Sequence, residues 1–113
     1  MTALPIQPFT VAVRDQRERL TELASGGRKI LGYFCTYTPI ELIHAAGFVP
    51  VRILGGEISI ERAASLTPTF ICPYLRKALE RALRGQYDFL SGVIQGYTCD
   101  VACGLINIWE LNV

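Results

Sequence analysis

TPTFICPYLRKALERALRGQYDFLSGVIQGYTCDVACGLINIW, residues 67–109, changes its hydrophobic period twice. From Pro73 onward, Leu75, Leu79 and Leu83, with Ala78 and Ala82 beside them, recur at helical spacing and make one apolar stripe. Arg76, Lys77, Glu80, Arg81 and Arg84 are expected to face water. Pro73 is a favoured first-turn residue, which makes Cys72 the N-cap. YDFLSGVIQGY (87–97) then reads as a strand, and CDVACGLINIWELNV (99–113) runs helically, with Cys99 at its start and Asp100 after it. Two thiols thus stand where strand-like runs give way to helices.

Upstream, the same alternation continues. VAVRDQRERLTELASGG (11–27) reads as one surface helix, with Leu20 and Leu23 on its apolar side and Gly26-Gly27 as its stop. KILGYFC (29–35) is too short for a helix and suits a strand covered on both faces. In TPIELIHAAG (38–47), Thr38 takes the N-cap position, Pro39 the first turn, Glu41 the third position and Gly47 the C-terminal end. FVPVRILGG (48–56) supplies a second strand, and SIERAASL (59–66) a short helix capped by Ser59 and ended by Pro68. Strands and helices alternating at this length imply βαβ units, a parallel sheet and right-handed crossovers, hence an α/β fold. Residues 1–28 read as an N-terminal helical segment and 29–113 as the α/β lobe. Gly47, Gly55 and Gly56 are helix and strand terminators, with no phosphate loop around them.

Composition removes several functional classes. The 113 residues are half hydrophobic, enough for one modest core, and 11 basic against 10 acidic residues leave a net charge of +1. No basic cluster interleaved with aromatics is present, so nucleic acid is not an expected partner. The N-terminus lacks a basic segment followed by an apolar one, and no apolar run reaches the roughly 18 residues that a membrane span needs. A soluble, cytoplasmic protein is expected. In that compartment thiols stay reduced, so the four cysteines read as metal ligands, reactive thiols or core residues rather than a disulfide framework.

In an open parallel sheet, ligands bind beyond the carboxyl ends of the strands, and Cys35, Cys72 and Cys99 all fall at or near that edge. A helix N-terminus presents free N–H groups and roughly half a positive charge, which favours thiolate over thiol and attracts an anionic partner. Two such thiols on neighbouring loops could hold an iron–sulfur cluster. Without a compact Cys-x-x-Cys, burial as ordinary small apolar caps explains them as well.

GYFCTYTPIELIHAAGFVPVRILG (32–55), CPYLRKALERALRG (72–85) and YDFLSGVIQGYTCDVACGLINIW (87–109) together resemble the N-terminal part of the 2-hydroxyacyl-CoA dehydratase and benzoyl-CoA reductase family. The most specific pieces are the Tyr-x-Pro-x-Glu-Leu-Ile-x-Ala-Ala-Gly block at 37–47, Cys72 with Arg76 four residues on, and the triplet Thr98-Cys99-Asp100. The resemblance implies a three-stranded Rossmann-like (flavodoxin-like) lobe, truncated relative to the family. It also implies a [4Fe–4S] cluster held between two lobes by three cysteines. Cys72 and Cys99 match two of them, and the third belongs to a region this chain does not contain. A further implication is an uncovered apolar face, through which the isolated chain would self-associate.

Family members resembling this chain work with a second homologous dehydratase subunit and an ATP-dependent activase. The activase delivers one low-potential electron, the CoA-thioester substrate becomes a ketyl radical anion, and that anion expels its α-hydroxyl. Reductase relatives use similar electron transfer to reduce an aromatic ring. Glu41 lies in the family block and is the candidate catalytic residue, although a Thr38-x-x-Glu41 capping box accounts for it fully. His44, the single histidine, is assigned no role. Cys35 is read as a near-site residue without a ligand role, Cys103 as core, and Tyr97 and Trp109 as core or lobe-contact residues. Dehydratase subunit, reductase subunit and non-catalytic binding or assembly module are the three functions these residues allow.

Overall fold

Three short parallel strands form the frame. In the computed structural model, which describes residues 5–113, β1 (Ile30–Tyr33) lies between β2 (Val49–Arg52) and β3 (Gly92–Ile94). Ile30 sits beside Val49 and Leu31 beside Gly92, both pairings parallel. The α/β expectation is met. The connections run through α3 (Ile40–Ala45) from β1 to β2 and through α4 (Arg62–Leu66) and α5 (Pro73–Leu83) from β2 to β3, and α6 (Asp100–Asn112) follows. The chain leaves β1 for one neighbour and returns past it to the other, so strand order reverses beside β1.

The main core packs α4, α5 and α6 through Ala63, Leu75, Leu79, Leu105 and Trp109 onto Phe34 and Ile53. Trp109 meets Phe34 edge to face, ring centres 5.4 Å apart. Gly55 lets α5 approach the end of β2: a Cβ there would stand 2.4 Å from the Lys77 Cβ. A second cluster joins Leu20, Ile30 and Val51. Ile30, Gly32 and Val51 are buried, whereas Leu31, Tyr33 and Pro50 are half-buried and Arg52 is exposed. Strand β1 is therefore fully covered on one face, not on both as its composition suggests.

Several local expectations are corrected. The N-terminal helix is two helices, α1 (Gln7–Arg14) and α2 (Gln16–Ser25), broken at Asp15, whose carboxylate takes the Arg14 Nε at 2.7 Å. Leu20 is buried but Leu23 is exposed; residues 1–4 of the 1–28 segment lie outside the described residues. Helix α3 begins at Ile40 with Pro39 as N-cap, so the Thr38–Glu41 capping box does not form. The buried Thr38 hydroxyl instead donates to the Phe34 carbonyl and accepts the Gly96 amide. Ser59 does not cap α4, and Glu80 does not face water. Glu80 is wholly buried, and its Oε2 accepts the amides of Glu61 at 3.0 Å and Ala63 at 2.8 Å, the unpaired N–H groups at the start of α4. Burying it is tolerable because Arg84 Nε lies 2.7 Å from Oε1. The third strand spans only Gly92–Ile94 of the expected 87–97.

Candidate functional site

Pro73 and the Thr98-Cys99-Asp100 triplet start two helices at the carboxyl edge of the sheet. Cys72 is the N-cap of α5 and Cys99 the N-cap of α6, and both are exposed. The Cys99 backbone is extended and its Sγ accepts the Ala102 amide at 3.4 Å, so one free N–H of the helix start already points at this sulfur. Cys72 makes no such bond. The start of α5 is tied to the end of β2 by the Tyr74 hydroxyl, which donates to the Ile53 carbonyl at 2.5 Å. Burial pushes the Tyr74 phenol above its ordinary value, with the Cys35 amide opposing. Because α5 and α6 bury their apolar sides in one cluster, the two cysteines stand on the same face of the sheet.

The loops after β1 and β3 meet where strand order reverses. The Gly96 amide donates to Thr38 Oγ1 at 3.3 Å, and a Cβ on Gly96 would stand 3.3 Å from the Tyr37 carbonyl. Cys35 closes β1 in the left-handed region (φ 58°), half-buried against the main cluster. Cys103 lies one turn into α6, also half-buried. Glu41 is exposed in the first turn of α3, and His44 is exposed in its last turn. Trp109 is core, as expected, while Tyr97 is 73% exposed and belongs to no core. The Tyr97 hydroxyl donates to Asp100 Oδ1, and that bond raises its pKa.

Among the described residues, no group of three or more His, Cys, Asp or Glu side chains is placed to hold a metal ion. Cys72 and Cys99 are both exposed at helix starts, and neither Cys35 nor Cys103 joins them in a set of three. Sequence reasoning missed the aromatic rim. Each of the three cysteines at this edge has an exposed aromatic ring two residues away: Tyr37 beside Cys35, Phe70 beside Cys72 and Tyr97 beside Cys99, 75%, 85% and 73% exposed. The signal was present in the Cys–aromatic spacing, but its exposure was not.

Fold and edge together define an α/β lobe with exposed thiols at the carboxyl edge of a parallel sheet. The chain belongs to the family described as 2-hydroxyglutaryl-CoA dehydratase, D-component, whose sequence model matches residues 35–113. It is 43% identical over 74 residues to the (R)-phenyllactyl-CoA dehydratase beta subunit of Clostridium sporogenes, covering 66% of this chain and 20% of that protein. It is 34% identical over 90 residues to a benzoyl-CoA reductase subunit from Thauera aromatica, covering 78% and 23%. It is 31% identical over 96 residues to the (R)-2-hydroxyglutaryl-CoA dehydratase subunit beta of Acidaminococcus fermentans, covering 84% and 25%. The chain thus spans between a fifth and a quarter of the length of these relatives. No helix among the described residues is long and apolar enough to cross a membrane.

Proposed function

We propose that the protein acts as the cluster-bearing part of a 2-hydroxyacyl-CoA dehydratase, with Cys72 and Cys99 as two thiolate ligands of a [4Fe–4S] cluster and the remaining ligand supplied from outside this chain. The observation that carries this reading is that both exposed thiols cap the starts of two helices, α5 and α6, that bury their apolar sides in one cluster on the same face of the sheet. Thiolates are the ligands iron–sulfur clusters require, and two helix N-termini offset the negative charge of the whole assembly. The Ala102 N–H on Cys99 Sγ is the kind of hydrogen bond that orients a ligand sulfur and tunes potential.

A 2-hydroxyacyl-CoA has a poor leaving group at its α-carbon and no acidic hydrogen at its β-carbon, so positioned acids and bases alone leave a prohibitive barrier. A bound cluster would supply the low-potential single electron that opens a radical route through the thioester carbonyl. The chain's own residues hold and shield that site. Tyr37, Phe70 and Tyr97 offer an apolar rim against which a second homologous subunit would close and exclude water. An ATP-dependent activase as electron donor and a CoA thioester as substrate complete the proposed assembly, which suits the reducing cytoplasm. Glu41 stands at the same edge, on the first turn of α3, as its candidate acid–base residue.

A second reading, a benzoyl-CoA reductase-type subunit, rests on the similarity to the Thauera aromatica protein. Assay of the assembled complex with a 2-hydroxyacyl-CoA and with benzoyl-CoA separates the two. Anaerobic reconstitution of the chain with ferrous iron and sulfide tests what they share. The expected result is visible iron–sulfur absorption that is weak for the chain alone and is abolished by Cys72→Ser or Cys99→Ser. Colourless wild-type protein would overturn it in favour of a non-catalytic binding or assembly module.

A further inference from the structure

Three polar side chains are buried among the described residues: Thr38 and Thr67, each 4% exposed, and Glu80, 0% exposed. None lies at random. Thr38 Oγ1, in the loop after β1, takes the Gly96 amide at 3.3 Å and so ties that loop to the one leading into Cys99. Thr67, the last residue before the loop to Cys72, donates to the Ala63 carbonyl at 2.6 Å and accepts Arg76 Nε at 3.1 Å. Arg76 lies one turn beyond Cys72 on α5, and its amide bonds the Cys72 carbonyl at 3.2 Å. Glu80 holds the other end of α4, through the amides of Glu61 and Ala63. Helix α4 is thereby pinned to α5 at both ends, and only Pro68–Ile71 separates the second pin from Cys72.

Burying polar groups at these positions is unfavourable unless each is fully bonded, and a wholly apolar core would be the simpler solution. Loops at sheet edges are ordinarily the mobile parts of a fold. We propose that Thr38, Thr67 and Glu80 are positioning residues that hold Cys72 and Cys99 at a fixed separation, so that one ligand can span both sulfurs. A bridging ligand tolerates little displacement of its donors, so the loops that deliver them need an outer support.

The inference rests on assigning both cysteines to one site, but its test uses no iron, so failed cluster assembly and a failed tether remain separate results. The full chain is treated with a short bismaleimide, and mass spectrometry measures Cys72–Cys99 bridging relative to single alkylation of each thiol. Thr38→Val and Thr67→Val are expected to lower that ratio about tenfold. Thr38→Ser and Thr67→Ser keep the hydroxyl and are expected to retain the wild-type ratio. They also serve as the reading where a valine variant does not fold. Val51→Ala, in the second core cluster, controls for destabilisation alone and is expected to leave the ratio unchanged. Any of four results would overturn the proposal: no bridging in the wild type, an unaltered ratio in the valine variants, a lowered ratio in the serine variants, or an equal fall in Val51→Ala.

Discussion

Glu80 caps a helix to which it does not belong: its Oε2 accepts the Ala63 amide at 2.8 Å, at the start of α4, from a position two turns into the packed face of α5. Burial pushes this carboxyl up, but the amides of Ala63 and Glu61 and the guanidinium of Arg84 outweigh it and leave the pKa below the ordinary glutamate value. A depressed folded-state pKa contributes stability that is complete above the unfolded value, about pH 4.3, and is lost as pH falls through the folded one. Glu80→Gln removes the charge and is expected to cost about 1–3 kcal/mol at neutral pH. Urea unfolding at pH 7 and pH 3.5 checks both points: the gap between wild type and variant should narrow in acid.

Gly55 is the close contact between the end of β2 and the first turns of α5. A Cβ there meets Lys77 Cβ at 2.4 Å, the Tyr74 carbonyl at 3.1 Å and the Ala78 amide at 3.2 Å, two of which are backbone. Gly55→Ala is expected to destabilise by about 1–3 kcal/mol. Urea denaturation measures it, and an unchanged midpoint would show that α5 can shift freely.

Local signals made much of this legible. Pro73 and the Leu75–Leu79 stripe mark α5, and Gly47 (φ 85°) ends α3 where the residue type says it should. The helix-start positions of Cys72 and Cys99 follow from the residues beside them. What sequence spacing could not show was long-range pairing. Thr38 reads as a local cap because Glu41 follows it, yet its partner Gly96 lies 58 residues away. Glu80 reads as exposed because helical period separates the stripe from its flanks, and only the presence of α4 decides that this flank is covered.

Trp109 is the single tryptophan, and its contact with Phe34 joins the last helix to the loop after β1. Trp109→Ala is expected to cost about 3–5 kcal/mol. In the wild type its fluorescence should report unfolding in step with far-ultraviolet circular dichroism, and a separate earlier fluorescence transition would show that α6 opens independently.

The Tyr97 phenol titrates above its ordinary value because the Asp100 carboxylate accepts its hydrogen bond. Asp100→Asn is expected to return it toward the ordinary tyrosine value, seen by NMR of labelled tyrosine. No change would mean that the contact beside Cys99 is absent in solution.

The account stands on Cys72 and Cys99 ligating one cluster, and alkylation footprinting of the anaerobically reconstituted chain reads this directly. Loading with iron and sulfide should protect Cys72 and Cys99 together, in proportion to bound iron, while Cys35 and Cys103 keep the reactivity they have in the iron-free chain. Protection of only one of the two, or equal protection of all four cysteines, would contradict it.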